Sequence, residues 1–215
     1  TIQAAIDAAN QNGDEIMVLP GVYFEQIDYL GKSVRIYSQG GAIMTYIDGQ
    51  STSGPLVTFH TAEDENAILE GFTVRNAPNG PGISAIGSSP TILSCKIVGN
   101  TASNGGGFKC QDANILIDDC EIKNNTSSTG AGIWMSGGSL TMSYTLLRGN
   151  LTTDGSAGGG GIYATGTSLG IAWCDFEDNV ANSFDDARGG AISMYANATL
   201  SMANTNLVNN TSNMH

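Results

Sequence analysis

Basic residues are scarce in this chain. Lysine and arginine total 8 against 20 aspartates and glutamates, for a formal charge of −12. Nucleic acid and anionic membrane both require a basic face, so neither is an expected partner. A polyanionic glycan would also be repelled unless metal ions bridged the contact. Histidine is scarcer still, with His60 the only internal one, so a Ser/His/Asp triad has one possible base, and it lies in a poorly repeating stretch. No HxxxH pair is present to hold zinc, and the GSAGGGG run lacks the lysine of a phosphate loop. No run of 18 apolar residues exists, so no membrane-inserting helix is expected. No signal peptide is visible either: Thr1 already opens a patterned segment, so either a leader removed beforehand or a trimmed N-terminus is expected.

What the chain has instead is a ruler. With Phe108 as position zero, apolar or small residues follow at plus 2, 7, 9, 12 and 14 (Cys110, Ile115, Ile117, Cys120, Ile122), then Asn125 at plus 17. The same spacing starts at Ile83, Ile133, Ile162 and Ile192 and ends at Asn100, Asn150, Asn179 and Asn210, the last copy stretched by one residue. Pairs at 0 and 2, 7 and 9, and 12 and 14 have period two, so each copy supplies three short strands with one inward face. Such a unit cannot bury that face alone. Stacking the copies closes a continuous interior, with coils about 4.8 Å apart and like residues in ladders. The fold class is therefore all-β, a single-stranded parallel β-helix or solenoid, with a short capping helix at its N-terminus.

The ladder asparagines read as structural bridges between turns. Their sequons at Asn125, Asn150 and Asn210 are accordingly not expected to be glycosylated. The glycines before position zero (Gly82, Gly107, Gly132, Gly161) suit a corner where a side chain would clash. Connections from each asparagine to the next zero grow from 6 residues (77–82) to 12 (180–191), enough to build a wall along one edge at little entropic cost. All four cysteines occupy inward positions and read as small buried hydrophobes, free thiols unless Cys95 and Cys120 bridge.

One domain spans 1–215: a cap helix over 1–13, where Ile2, Ala5, Ile6 and Ala9 follow helical spacing, irregular first coils over 14–76, and regular coils over 77–215. Aligning Gly71 with Cys95 would start the asparagine ladder at Asn76. The last copy stops at SNMH without a cap, so the chain reads as part of a longer β-helix, or as one whose open end packs on another molecule.

The segments TIQAAIDAAN, GDEIMVLPGVYFEQI and GKSVRI resemble the N-terminal capping segment shared by secreted proteins of the pectin-lyase-like superfamily. GGGF, GAGI, GGGI and GGAI, paired with IVGN, IKNN, LRGN, FEDN and LVNN, are similar to the GGA(I/L/V) and FxxN repeats of polymorphic outer-membrane proteins and related surface β-helices. The resemblance implies a right-handed helix and an extracellular or cell-surface location. It does not name a function, because that superfamily holds lyases, hydrolases, esterases, epimerases, tailspikes and non-enzymatic adhesins.

Function must sit on outward positions. The plus 1 row places Lys109, Trp134 and Tyr163 together, either a platform for sugar rings or simply exposed aromatics in strands, where such residues are common. The plus 11, 13 and 15 positions gather Asp119, Glu121, Lys123, Arg148, Asp175 and Glu177. Polysaccharide lyases resembling this fold abstract a proton with a basic side chain while acidic ones hold Ca²⁺, a role Arg148 or Lys123 could mimic; the alternative is a strip of cross-strand ion pairs. Asp154, Asp185 and Asp186, in the two longest loops, are a candidate Ca²⁺ site; no cofactor is otherwise required. The leading expectation is a non-catalytic adhesion or assembly scaffold that binds glycan or itself. The rival is a polysaccharide lyase acting on acidic glycans.

Overall fold

The structure, a computed structural model, describes residues 1–10, 12–50, 52–153, 158–183 and 189–214. Strands from successive coils pair in parallel throughout, in sheets of 13, 8 and 5 strands among the described residues. Position zero stacks as Ile83, Phe108, Ile133, Ile162 and Ile192. Plus 9 stacks as Ile92, Ile117, Met142, Ile171 and Met202, and plus 14 as Ile97, Ile122, Leu147, Phe176 and Leu207. These rows are buried up to the last coil, where Leu200, Met202 and Leu207 are inward in register yet 39%, 42% and 48% exposed, with no further rung above them among the described residues.

The solenoid is closed at its other end by a helix over Ile2–Ala8, shorter than the expected 1–13 because a strand already begins at Asn12. Ile2 and Ile6 bury its apolar stripe. Glu25 accepts the N–H groups of Ile2 and Gln3 at one helix end, and the Lys32 ammonium donates to the carbonyls of Ile6, Asp7 and Ala9 at the other. Each charge satisfies backbone groups the helix leaves unpaired and opposes the local dipole end.

Two ladders tie the coils together through side chains. From Asn125 on, each ladder asparagine uses its carboxamide oxygen to accept the backbone and side-chain N–H groups of the asparagine one coil earlier, as Asn125 does for Asn100 at 3.0 and 3.1 Å. The ladder does not begin at Asn76. Register pairs Val74 with Ile97 and Arg75 with Val98, which sets Ala77 opposite Asn100, and the Ala77 N–H donates to the Asn100 side chain. Asn76 is one residue early, at a left-handed corner (φ 60°), and hydrogen-bonds Asp48. The plus 12 row is a second ladder. Cys120 Sγ accepts the N–H of Cys95, Thr145 Oγ1 that of Cys120, and Thr205 Oγ1 that of Cys174.

The glycines before position zero are required by coil stacking. A Cβ on Gly107 would lie 2.4 Å from the Gly132 carbonyl oxygen, and one on Gly132 2.4 Å from that of Gly161. Ala191 holds the same place in the last described coil.

Candidate functional site

The plus 1 row is in register as expected: Ser84, Lys109, Trp134, Tyr163 and Ser193. Its members differ in exposure. Ser84 and Ser193, short side chains beside Lys109 and Tyr163, are buried although they belong to an outward row, whereas Lys109, Trp134 and Tyr163 are half-buried. The Trp134 and Tyr163 rings are parallel to within 8°, with centroids 6.5 Å apart. Tyr195, diagonal to Tyr163, extends the strip at 5.2 Å. Burial first, and then the neighbouring Tyr195, raises the Tyr163 phenol above its ordinary pKa, so it is a hydrogen-bonding hydroxyl at neutral pH. Lys109 makes no ion pair among the described residues. The row can therefore offer flat apolar ring surface, a phenolic hydroxyl and one ammonium donor.

The charged strip is also in register, but its members are spoken for. Glu121 meets Lys123 at 2.6 Å and Lys96 at 3.1 Å, and these two ammonium groups hold its carboxyl below the ordinary glutamate range despite the opposing effect of burial. Arg148 lies 3.8 Å from Glu177 and 3.6 Å from Asp178. Asp175 accepts a hydrogen bond from the Asn206 amide, and Leu146 separates it from Glu121 in the row. Asp119 sits on the preceding corner and accepts from the Ser94 hydroxyl. Lys96 with Glu121 and Arg148 with Glu177 thus form cross-strand pairs, and Lys123 pairs with Glu121 within one strand, so each of these three basic side chains has a carboxylate neighbour. Beside them a depression of about 260 Å³ is lined by Tyr46, Arg75, Lys96 and Lys123, with the Arg75 guanidinium 4.2 Å over the Tyr46 ring. Arg75 is itself bonded to buried Asp48 at 2.6 Å.

Asp154, Asp185 and Asp186 lie outside the described residues. Among the described residues, no group of three or more His, Cys, Asp or Glu side chains is arranged to hold a metal ion. The four thiols are buried and free. Burial pushes Cys95 up to about 12 and raises Cys110, Cys120 and Cys174 as well, so none is a nucleophile at neutral pH.

A second aromatic pair lies off the strand rows, at a corner. Tyr144 and Trp173 stack at 5.4 Å and 7° on a corner of the same two coils that carry Trp134 and Tyr163. Its signal was the plus 11 position, where Ser94, Asp119 and Asn204 give way to two aromatics.

No curated protein sequence and no solved structure gives a significant match to this chain. A family model described as a right-handed beta helix region matches residues 33–214, most of the chain and all of its ladders. With the parallel coils and the Asn and Cys/Thr ladders in register, the chain belongs to the right-handed β-helix family.

Proposed function

We propose that this chain is a non-catalytic extracellular or cell-surface scaffold that binds glycan through the Lys109–Trp134–Tyr163 row. The observation that carries the reading is the pair of parallel rings at 6.5 Å on an outward row, half-exposed and flanked in register by an ammonium group. Pyranose rings present C–H faces that pack on aromatic surface, while their hydroxyls need donors and acceptors at the rim. Folding alone gives little reason for large rings on the outside of a solenoid whose core is complete without them. The pairing of the charged strip supports binding over turnover, since each basic side chain of Lys96, Lys123 and Arg148 already faces a carboxylate. The test is retention on immobilised polysaccharides. Trp134→Ala should lose retention while its melting temperature falls by no more than a few degrees. Unchanged retention on every glycan that the unmodified chain binds would remove the row from the account.

A further inference from the structure

Tyr144 and Trp173 occupy the least accommodating backbone positions an aromatic can take. Their φ angles are +46° and +52°, and they are 59% and 52% exposed. The same corner in other coils carries Gly71, Ser94, Asp119 and Asn204, all with positive φ. Left-handed backbone suits Gly, Asn and Asp, and a bulky residue there is an outlier. The corner evidently forms without aromatics, so two solvent-facing rings in adjacent coils are a departure that folding does not demand. Strain retained on a surface points to a use for the side chain.

The surroundings select the ligand. From Trp134 to Tyr144, and from Tyr163 to Trp173, there is no charged residue and no histidine. Between the two aromatic pairs the outward side chains are Ser136, Ser139, Thr141 and Ser143 on one coil and Thr165 and Ser168 on the next, paired strand to strand. The pairs are ten residues apart along each coil, with a corner between them at Gly137 and Gly138 on one coil and Gly166 on the next, all at positive φ. At the corner itself the nearest charges in register are acidic. Asp118 and Asp119 precede Tyr144 by one coil and Asp175 follows Trp173, and none of the three is in an ion pair among the described residues. That field disfavours uronates and sulfated sugars and leaves acceptors for hydroxyl groups. The Asp112 carboxylate lies against Gly137 and Asp118 accepts from the Ser143 hydroxyl, so a cationic oligomer would gain from the aspartates and is the competing ligand that the test must exclude.

We propose that the Tyr144–Trp173 corner is a second saccharide site, specific for neutral sugars, on the same two coils as the Trp134–Tyr163 pair. The inference rests on the glycan reading for its class of ligand and adds a site and a charge preference.

The chain's two tryptophans fall one in each pair, so fluorescence can address them separately. With Trp134→Phe, all tryptophan emission comes from Trp173, and titration with cello-, xylo- or mannohexaose should shift it saturably. Oligogalacturonate should not, nor should a chitosan hexamer. In the otherwise unmodified chain Trp173→Asn, a residue this corner already uses, should weaken binding of the neutral hexasaccharide at least tenfold with the melting temperature unchanged or raised. Trp173→Tyr should restore most of the affinity. Full affinity in Trp173→Asn would overturn the proposal, and so would a response to the acidic or cationic oligomer alone. A large fall in the melting temperature of both Trp173→Asn and Tyr144→Asn would show the pair to be structural. Loss with Trp134→Ala but not with Trp173→Asn leaves the first row standing and removes this site; the converse removes the first row. Absence of binding to any saccharide removes both.

Discussion

Replacing Asn125 by alanine should be among the most destabilising single changes in the molecule. Its carboxamide is fully buried and makes four hydrogen bonds. Nδ2 donates to the Ile97 carbonyl and to Asn150 Oδ1, each at 3.0 Å, and Oδ1 accepts from the Asn100 backbone and side chain. At about 1 kcal/mol net for each bond lost, the change costs about 4 kcal/mol, and the groups left unpaired in a dry interior add to it. With a urea slope of about 1–3 kcal/mol/M or somewhat more for a chain of this size, the unfolding midpoint should drop by more than about 1 M. Asn125→Asp keeps the shape but cannot donate to Ile97 or Asn150, so it should be equally harmful at neutral pH. Asn114→Ala is the control. That asparagine is exposed, its side chain accepts only from the Ser139 hydroxyl among the described residues, and its loss should cost within about 0.5 kcal/mol. If Asn125→Ala and Asn114→Ala shift the midpoint equally, the ladder does not hold the coils together and the reasoning fails.

Other consequences are smaller or simpler to read. Ile117→Ala, between Ile92 and Met142 in the core, should cost about 2–5 kcal/mol, whereas Glu121→Ala on the outer strip should cost no more than about 1; similar losses would mean inside and outside are misassigned. A thiol reagent should label the native protein slowly and all four cysteines after denaturation, and fast native labelling would contradict their burial. Glu63 is buried. Burial raises its pKa, but the N–H groups of Gly31 and Thr61 and the Ser88 hydroxyl, each at 2.9 Å, bring it below the ordinary glutamate value. A depressed folded pKa stabilises above the unfolded value of about 4.3, and the benefit is lost as pH falls through the folded value. Glu63→Gln should therefore be less stable than the parent at pH 7 and lose less on acidification; identical acid profiles would refute the clip.

The inward rows were legible because the side-chain period of a strand is two and the spacing repeats from Phe108 to Ile133 without change. Register slips where that contrast fades. At Gly71–Asn76 the sequence spacing aligns a corner glycine with Cys95, although Phe72 occupies that place and Ala77 the place of Asn100, and a one-residue offset moves a buried rung to an exposed corner. Cysteine read as a hydrophobe because its burial is plain from the pattern, while its role as acceptor is visible only in its alternation with Thr145 and Thr205. The charged strip could be placed on one face from sequence, but which carboxylate meets which cation depends on side-chain reach: Glu121 takes both Lys96 and Lys123, and Arg148 turns to Glu177 and Asp178. Tyr144 and Trp173 went unread because plus 11 looks like a turn, and turn positions are usually filled by residues that tolerate positive φ.

The most direct test of the account is a binding titration in which the ligand is recovered afterwards. The chain is titrated with a panel of neutral and acidic oligosaccharides in the presence of Ca²⁺, and each sugar is then examined for unsaturated or shortened products. Saturable binding, lost in Trp134→Ala, is expected, with the saccharide recovered intact. Ultraviolet-absorbing unsaturated product from a uronate oligomer, abolished by Arg148→Ala and untouched by Trp134→Ala, would contradict it.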